Sequence, residues 1–251
     1  MAMRMCVWIL LTLFSVVSEW YGHCCGCLEE ERIGLLEIQA FFDPNRLSLR
    51  DWVDKDGIGN CCEWSGIECD NTTRRVIQLS LMDVMDRTGL GDLILNASLF
   101  LPFEELQSLN LRGNRLVGLY ENQGFQVLSS KLKKLEILGL TQNQFNESIL
   151  SSLSGLSSLK SLYLSQNNLT GSAGFYGNTL SGFEVLAPRL KKLENLDLGW
   201  NKYNDSSIFP SLSEFQSLKF LDLSGNMLNG STSFNGKLLI PVSGFLSLIR
   251  H

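Results

Sequence analysis

Histidine is almost missing from this chain: among 251 residues only His23 and His251 carry an imidazole. A Cys–His nucleophile and the common zinc sites both need imidazole in a defined frame, and the Cys61, Cys62 and Cys69 spacing contains no C-x₂-C pair. Positive charge is also short, with 21 Lys and Arg against 26 Asp and Glu and a net charge of -5. Nucleic acid is therefore not expected as a partner, because phosphate binding needs a basic face. No run of like charge marks a membrane-binding patch. Long apolar stretches are lacking too. Residues 6–17 and 238–249 each fall short of the ~20 needed to cross a bilayer, and the second is broken by Pro241 and Gly244. The stretch "GSTSFNGK" (230–237) imitates a phosphate loop but has five residues between its glycines and Leu238 after its lysine. Acidic pairs such as Glu104 and Glu105 sit in no catalytic frame. No catalytic residue, metal or cofactor is expected, and the chain reads as a non-enzyme.

What is present begins with Arg4 followed by a 12-residue apolar core, "CVWILLTLFSVV". This is the pattern of a secretory signal, assigned to residues 1–22, with cleavage near Val16 to Ser18 or closer to Gly22. An exported chain meets oxidising conditions, so clustered cysteines favour disulfides. Six of the seven cysteines lie beyond the apolar core: Cys24, Cys25, Cys27, Cys61, Cys62 and Cys69. Six thiols allow 15 pairings in principle. Six N-glycosylation sequons agree with the same compartment, at Asn71, Asn96, Asn146, Asn168, Asn204 and Asn229.

Most of the chain is a repeat. "LQSLNLRGNRL", "LEILGLTQNQF", "LKSLYLSQNNL", "LENLDLGWNKY" and "LKFLDLSGNML" begin at Leu106, Leu135, Leu159, Leu193 and Leu218. All follow LxxLxLxxNxL, with Phe145 and Tyr203 replacing the last leucine. The asparagines fall at Asn114, Asn143, Asn167, Asn201 and Asn226, at spacings of 29, 24, 34 and 25. "VIQLSL" (76–81) is a degenerate earlier copy, with Val84 in place of asparagine. In each LxL core two leucines point to one face of a short strand and the residue between them to the other. One unit cannot bury its leucines; stacked copies make a parallel sheet and a continuous core. The asparagine amides are expected to form a ladder that satisfies backbone groups at the bend. The convex side is expected to carry 3₁₀ or irregular turns, and the long spacings place insertions at 117–131 and 172–189. The fold class is therefore α/β, a leucine-rich-repeat solenoid with a parallel β-sheet on its concave face.

Before the repeats, residues 28–42 carry a helix pattern with Leu28, Leu35, Ile38 and Phe42 on one face. Glu29 to Glu31 favour its positive end and Pro44 ends it. "DW" and "NCCEWSGIECD" follow, and the whole reads as a lid over the first repeat, with Trp64 packed beneath it. The expected domains are a cysteine-containing cap at 24–75, about six repeats at 76–230 and an irregular tail at 231–251.

"C-x₂-EER-x₂-LL" at Cys27, then "DW", then "NCCEWSGIECD" running into "RVIQLSL", closely resembles the N-terminal cap of plant extracellular leucine-rich-repeat proteins. The repeats resemble the plant type, and the nearest group is the plant receptor-like proteins, cell-surface receptors without a kinase domain. The resemblance implies Cys27–Cys61 and Cys62–Cys69 disulfides and leaves Cys24 and Cys25 without an assigned partner. It implies extracellular or apoplastic recognition of a peptide, protein or glycan in defence or development, with a receptor-kinase co-receptor. Location at the plasma membrane would require a full-length form with a transmembrane helix. The family's C-terminal cysteine cap and membrane helix are not found here, and residues 235–251 do not continue the repeat, so a shortened chain is expected. The alternatives are a secreted inhibitor of microbial cell-wall hydrolases, resembling polygalacturonase inhibitors, or a non-functional fragment. The candidate ligand contacts are concave positions, chiefly Arg112, Tyr163, Gln166, Asp197 and Trp200.

Overall fold

The computed structural model describes residues 26–53, 59–85, 91–119, 124–170, 182–203 and 208–228, and the backbone of three strands beyond them. The signal segment, Cys24, Cys25, Asn204 and Asn229 lie outside the described residues.

Helix α1 spans Glu29–Phe42, and Leu28 is its N-cap. Leu35, Ile38 and Phe42 are fully buried, but Leu28 is 44% exposed, contrary to the helical pattern. Glu31 takes its place on the buried face, one turn before Leu35, and is itself 0% exposed. Its carboxylate accepts from Arg75 Nε at 2.8 Å and from the Val76 backbone N–H at 3.1 Å. Both partners lie more than forty residues downstream, at the start of the first repeat strand. Burial pushes this carboxyl above its ordinary value, opposed by the Arg75 and Val76 bonds. The acidic first turn therefore does more than complement the helix dipole: it fastens the cap to the sheet.

The cap closes around two disulfides, Cys27–Cys61 and Cys62–Cys69, with Cα–Cα distances of 5.8 and 5.5 Å. The adjacent cysteines thus belong to different bridges. Trp52 and Trp64 are buried in the same core and stack at 5.7 Å between ring centroids, and Trp52 Nε1 donates to the Ser65 carbonyl at 2.9 Å. Beyond the helix, the buried Asp43 carboxylate accepts the backbone N–H groups of Leu47, Ser48 and Leu49 at 2.7–2.8 Å. Gln39 ties the same loop down through the Leu49 and Trp52 carbonyls.

Strand β1 (Ile67–Cys69) runs antiparallel to β2 (Val76–Ser80). From β2 the direction is constant. Strands β4 (Ser108–Asn110), β6 (Ile137–Gly139), β7 (Ser161–Tyr163), β8 (Asn195–Asp197) and β9 (Phe220–Asp222) add in parallel, in register leucine to leucine. The paired leucines, Leu79 through Leu221, are at most 2% exposed. Each such burial stabilises by roughly 2 kcal/mol. The intervening strands β3 (Leu93–Leu95) and β5 (Leu116–Leu119) form a separate two-stranded parallel sheet. That sheet occupies the start of the insertion expected at 117–131, and a 3₁₀ turn at Phe125–Ser130 fills the rest of its described part. Most of the second expected insertion lies outside the described residues.

The convex side has a 3₁₀ turn at Ala97–Phe100 as expected, but three segments form short α-helices instead: α2 (Ser148–Leu153), α3 (Gly182–Leu186) and α4 (Ile208–Ser213). The inter-repeat lengths there leave room for a full α turn, and apolar residues such as Leu153, Leu186 and Leu212 anchor each one in the core. The last segment also departs from the irregular tail expected at 231–251. Its backbone forms a hairpin of β10 (Thr232–Phe234) and β11 (Lys237–Leu239), and β12 (Ser247–Ile249) pairs antiparallel with β9. The open hydrogen-bonding edge of β9 is what β12 satisfies.

The asparagine ladder is present in full. Asn143 Nδ2 donates to the Leu111 and Leu140 carbonyls, both at 3.0 Å, joining its own turn to the preceding one. Its Oδ1 accepts from the backbone of Asn114 and Leu116 at 3.1 and 3.0 Å. Asn114, Asn167, Asn201 and Asn226 repeat the donor pattern. Val84 explains the degenerate first copy. Its backbone N–H, with that of Met85, donates to Asn114 Oδ1, and among the described residues no parallel turn precedes it to need an amide of its own.

Candidate recognition surface on the concave sheet

Alternation along each strand fixes what faces outward. The residue between the two core leucines gives the row Ser80, Asn110, Gly139, Tyr163, Asp197 and Asp222. Two positions after the second leucine, the chain turns through left-handed backbone in every repeat. Asp83, Gly113, Gln142, Gln166, Trp200 and Gly225 all have φ between +53° and +74°. Glycine adopts this region freely, but a tryptophan there is strained.

Gly139 stands in register between Asn110 and Tyr163, and its missing side chain opens a hollow in the sheet. A Cβ at that position would lie 2.9 Å from Asn110 Oδ1. The hollow has a volume of about 430 Å³ and brings together Arg112, Tyr163, Gln166 and Asp197 with Ile137 and Ser165. Trp200, the fifth candidate, is not part of it. It stands farther along, 63% exposed, with its ring laid over Gly225, where an added Cβ would come within 2.5 Å of the indole.

The electrostatics are polarised. At one end Arg112 is exposed and its Nε meets Gln142 Oε1 at 3.3 Å. At the other, Asp197 accepts Ser165 Oγ at 2.6 Å and the Gly199 N–H at 2.9 Å. Partial burial raises the Asp197 carboxyl above its ordinary range, and the neighbouring Asp222 charge adds to this, against the Ser165 and Gly199 bonds. Ser165 also contacts the Thr141 hydroxyl at 3.2 Å, so a chain of hydroxyls leads from the middle of the hollow to the carboxylate. Thr141 and Ser165 are absent from the residues singled out in the sequence. Their position one step after the second core leucine, which Arg112 also occupies, would have found them.

Of the sequon asparagines, Asn71 and Asn146 are exposed and Asn96 and Asn168 half-buried. Asn96 and Asn146 accept from the backbone of Ser98 and Ser148 at 3.0 and 3.1 Å, which leaves their amide nitrogens for other use. None of the four lines the hollow. Among the described residues no cluster of three or more His, Cys, Asp or Glu could hold a metal ion, and no helix is long and apolar enough to cross a membrane.

The leucine rich repeat N-terminal domain matches residues 28–70, and the leucine-rich repeat matches 158–183 and 217–238. Receptor-like protein 9a of Arabidopsis thaliana is 38% identical over 86% of this chain and 19% of its own length. The chain spans about a fifth of the length of the curated relatives it matches. Among solved structures, the BIR2 ectodomain of Arabidopsis thaliana is 27% identical, covering 82% of this chain and 96% of that one, with a TM-score of 0.54. PEPR1 with AtPEP1 is 26% identical over 80% of this chain and 25% of that one, with a TM-score of 0.56.

Proposed function

The chain is a leucine-rich-repeat protein related to the plant receptor-like proteins, and we propose that its concave hollow recognises an extracellular peptide or protein segment of mixed charge. The observation that carries this reading is the hollow opened by Gly139 between a guanidinium and a carboxylate, with Tyr163 on its wall. Arg112 on the β4 turn and Asp197 on β8 are three strand steps apart, roughly 14 Å at the usual spacing. An extended segment of four or five residues covers that distance. An acidic group would sit at Arg112, an apolar or aromatic side chain against Tyr163, and a basic group at Asp197 beside Asp222. Such aromatic and charged groups are the usual energetic centres of protein interfaces. Trp200 serves as a second anchor beyond the hollow. By family resemblance, a receptor-kinase partner would read the bound state. The reading involves no turnover, places the chain outside the cell and assigns glycans to exposed sequons such as Asn71 and Asn146.

The test is a library of short extended peptides screened against the secreted, disulfide-bonded chain. Binders are expected to pair one acidic with one basic residue and to weaken about tenfold or more with Tyr163→Ala or Asp197→Asn. Because Asp197 must be ionised to hold a basic group, its share of the affinity is present at neutral pH. It fades as the pH falls through a native value above the ordinary 3.8. Binders indifferent to both substitutions would refute the assignment.

A further inference from the structure

A second surface lies on the flank where the strands begin, opposite the asparagine ladder. The leucines that open three successive repeats are Leu135, Leu159 and Leu193. The two residues before each are Lys133-Lys134, Ser157-Ser158 and Lys191-Lys192, and the residue four before each is Lys131, Gly155 and Arg189. The middle turn is thus built of small residues between two cationic turns. The outcome is a groove of about 530 Å³ with Gly155, Ser157 and Ser158 on its floor. Lys133 stands on one wall and Arg189, Lys191 and Lys192 on the other. Glycine keeps the floor low: a Cβ at Gly155 would lie 2.7 Å from the Ser129 Cβ.

The charge of this groove is not neutralised from within. Nearby lysines have carboxylate partners: Lys131 with Glu104, Lys134 with Glu105, Lys160 with Glu136 and Lys219 with Glu194. Lys133, Arg189, Lys191 and Lys192 are all exposed and have none among the described residues. On a chain of net charge -5, four such cations converging on one groove form a local positive field that attracts and orients anions.

We propose that this groove binds an anionic oligosaccharide bearing uronate carboxylates. Adjacent strands lie about 4.8 Å apart, so the two cationic walls are roughly 10 Å from each other, a distance spanned by two or three sugar residues. The floor hydroxyls match sugar hydroxyls, and the walls match carboxylates on either side. A peptide partner fits less well, because no aromatic side chain lines the groove and no unpaired strand edge borders it. This surface is separate from the concave hollow, so either assignment can fail without the other.

The experiment titrates the full secreted chain with oligogalacturonate, its fully methyl-esterified form and polyglutamate of similar charge. Saturable binding is expected for oligogalacturonate alone, weakening steeply with salt. Joint Lys133→Gln and Lys191→Gln substitution should weaken it roughly tenfold. Joint Lys131→Gln and Lys134→Gln substitution, which removes the same charge from the paired lysines, should change it less than about threefold. Ser157→Leu fills the floor without altering charge and should also weaken binding about tenfold or more, while Tyr163→Ala should leave it unchanged. Tryptophan fluorescence and the urea midpoint confirm the fold of each variant. Absence of saturable binding, equal losses in the two lysine pairs, or polyglutamate binding as well as oligogalacturonate would overturn the proposal; the last outcome would indicate an acidic peptide.

Discussion

Replacing Asn143 by alanine isolates the ladder's contribution. Its side chain makes four buried hydrogen bonds, donating to the Leu111 and Leu140 carbonyls and accepting from the Asn114 and Leu116 N–H groups. At about 1 kcal/mol net for each, and with the partners left buried, the loss should come to roughly 4 kcal/mol. That is a large fraction of the 5–15 kcal/mol typical of a folded domain. Asn226 offers the internal comparison. It makes the same donor bonds to Leu198 and Leu223 and accepts from the Tyr203 N–H, but it is half-buried, so water can replace part of what alanine removes. Asn226→Ala should therefore cost only about 1–2 kcal/mol. Urea unfolding with the disulfides intact measures both. Hydrogen exchange at the amides of Asn114 and Leu116 reports whether the damage is local, as a stack of nearest-neighbour units requires. Equal costs at Asn143 and Asn226, or a cost below about 1 kcal/mol at Asn143, would refute the reasoning.

Glu31→Gln tests the clamp between cap and sheet. Because burial holds the native carboxyl above 4.5, its contribution is fully present below that pH and declines as the pH rises through the native value. The variant should lack this slope when urea midpoints are compared across the pH range, and parallel curves would count against it. Gly225→Ala meets both a φ of +67° and the Trp200 ring, so it should cost about 1–2 kcal/mol and shift tryptophan emission. Adding Trp200→Ala should recover part of that loss, whereas strict additivity would show no contact. Converting Cys27 and Cys61 to serine should destabilise by about 4 kcal/mol, against about 2 kcal/mol for Cys62 and Cys69, since the loops span 34 and 7 residues. Thermal denaturation of the two double variants ranks them, and a reversed order would place the cap's stability elsewhere.

The repeat frame carries its own structure because each LxL core has one solution: both leucines inward, the middle residue outward. The six parallel strands and the asparagine ladder were therefore readable from spacing alone, and the cysteine pairing from family resemblance. Glu31 was not, since a helix pattern assigns charge to solvent and its partners, Arg75 and Val76, are remote in sequence. The β3–β5 sheet was hidden because it forms between the repeat cores, where the pattern carries no signal. "SFNGKLL" carries a turn signal, since Asn-Gly between alternating residues marks a two-residue hairpin, and Phe234 pairs with Lys237. Within the candidate site, Tyr163 and Asp197 followed from the frame. The separation of Trp200 from the hollow depended on the absent side chain at Gly139, and a glycine is easily read as merely permissive.

The ladder has one consequence for how such chains change over evolutionary time. Each asparagine bonds only to its own turn and the one before it, and asparagine spacings of 24 to 34 residues leave the strands in register all the same. A duplicated turn would thus find its bonding partners already in place, and its extra residues would loop outward without disturbing any neighbour. Selection can lengthen or shorten the array one turn at a time, and redraw the surface at Tyr163 or Lys191, without redesigning the core.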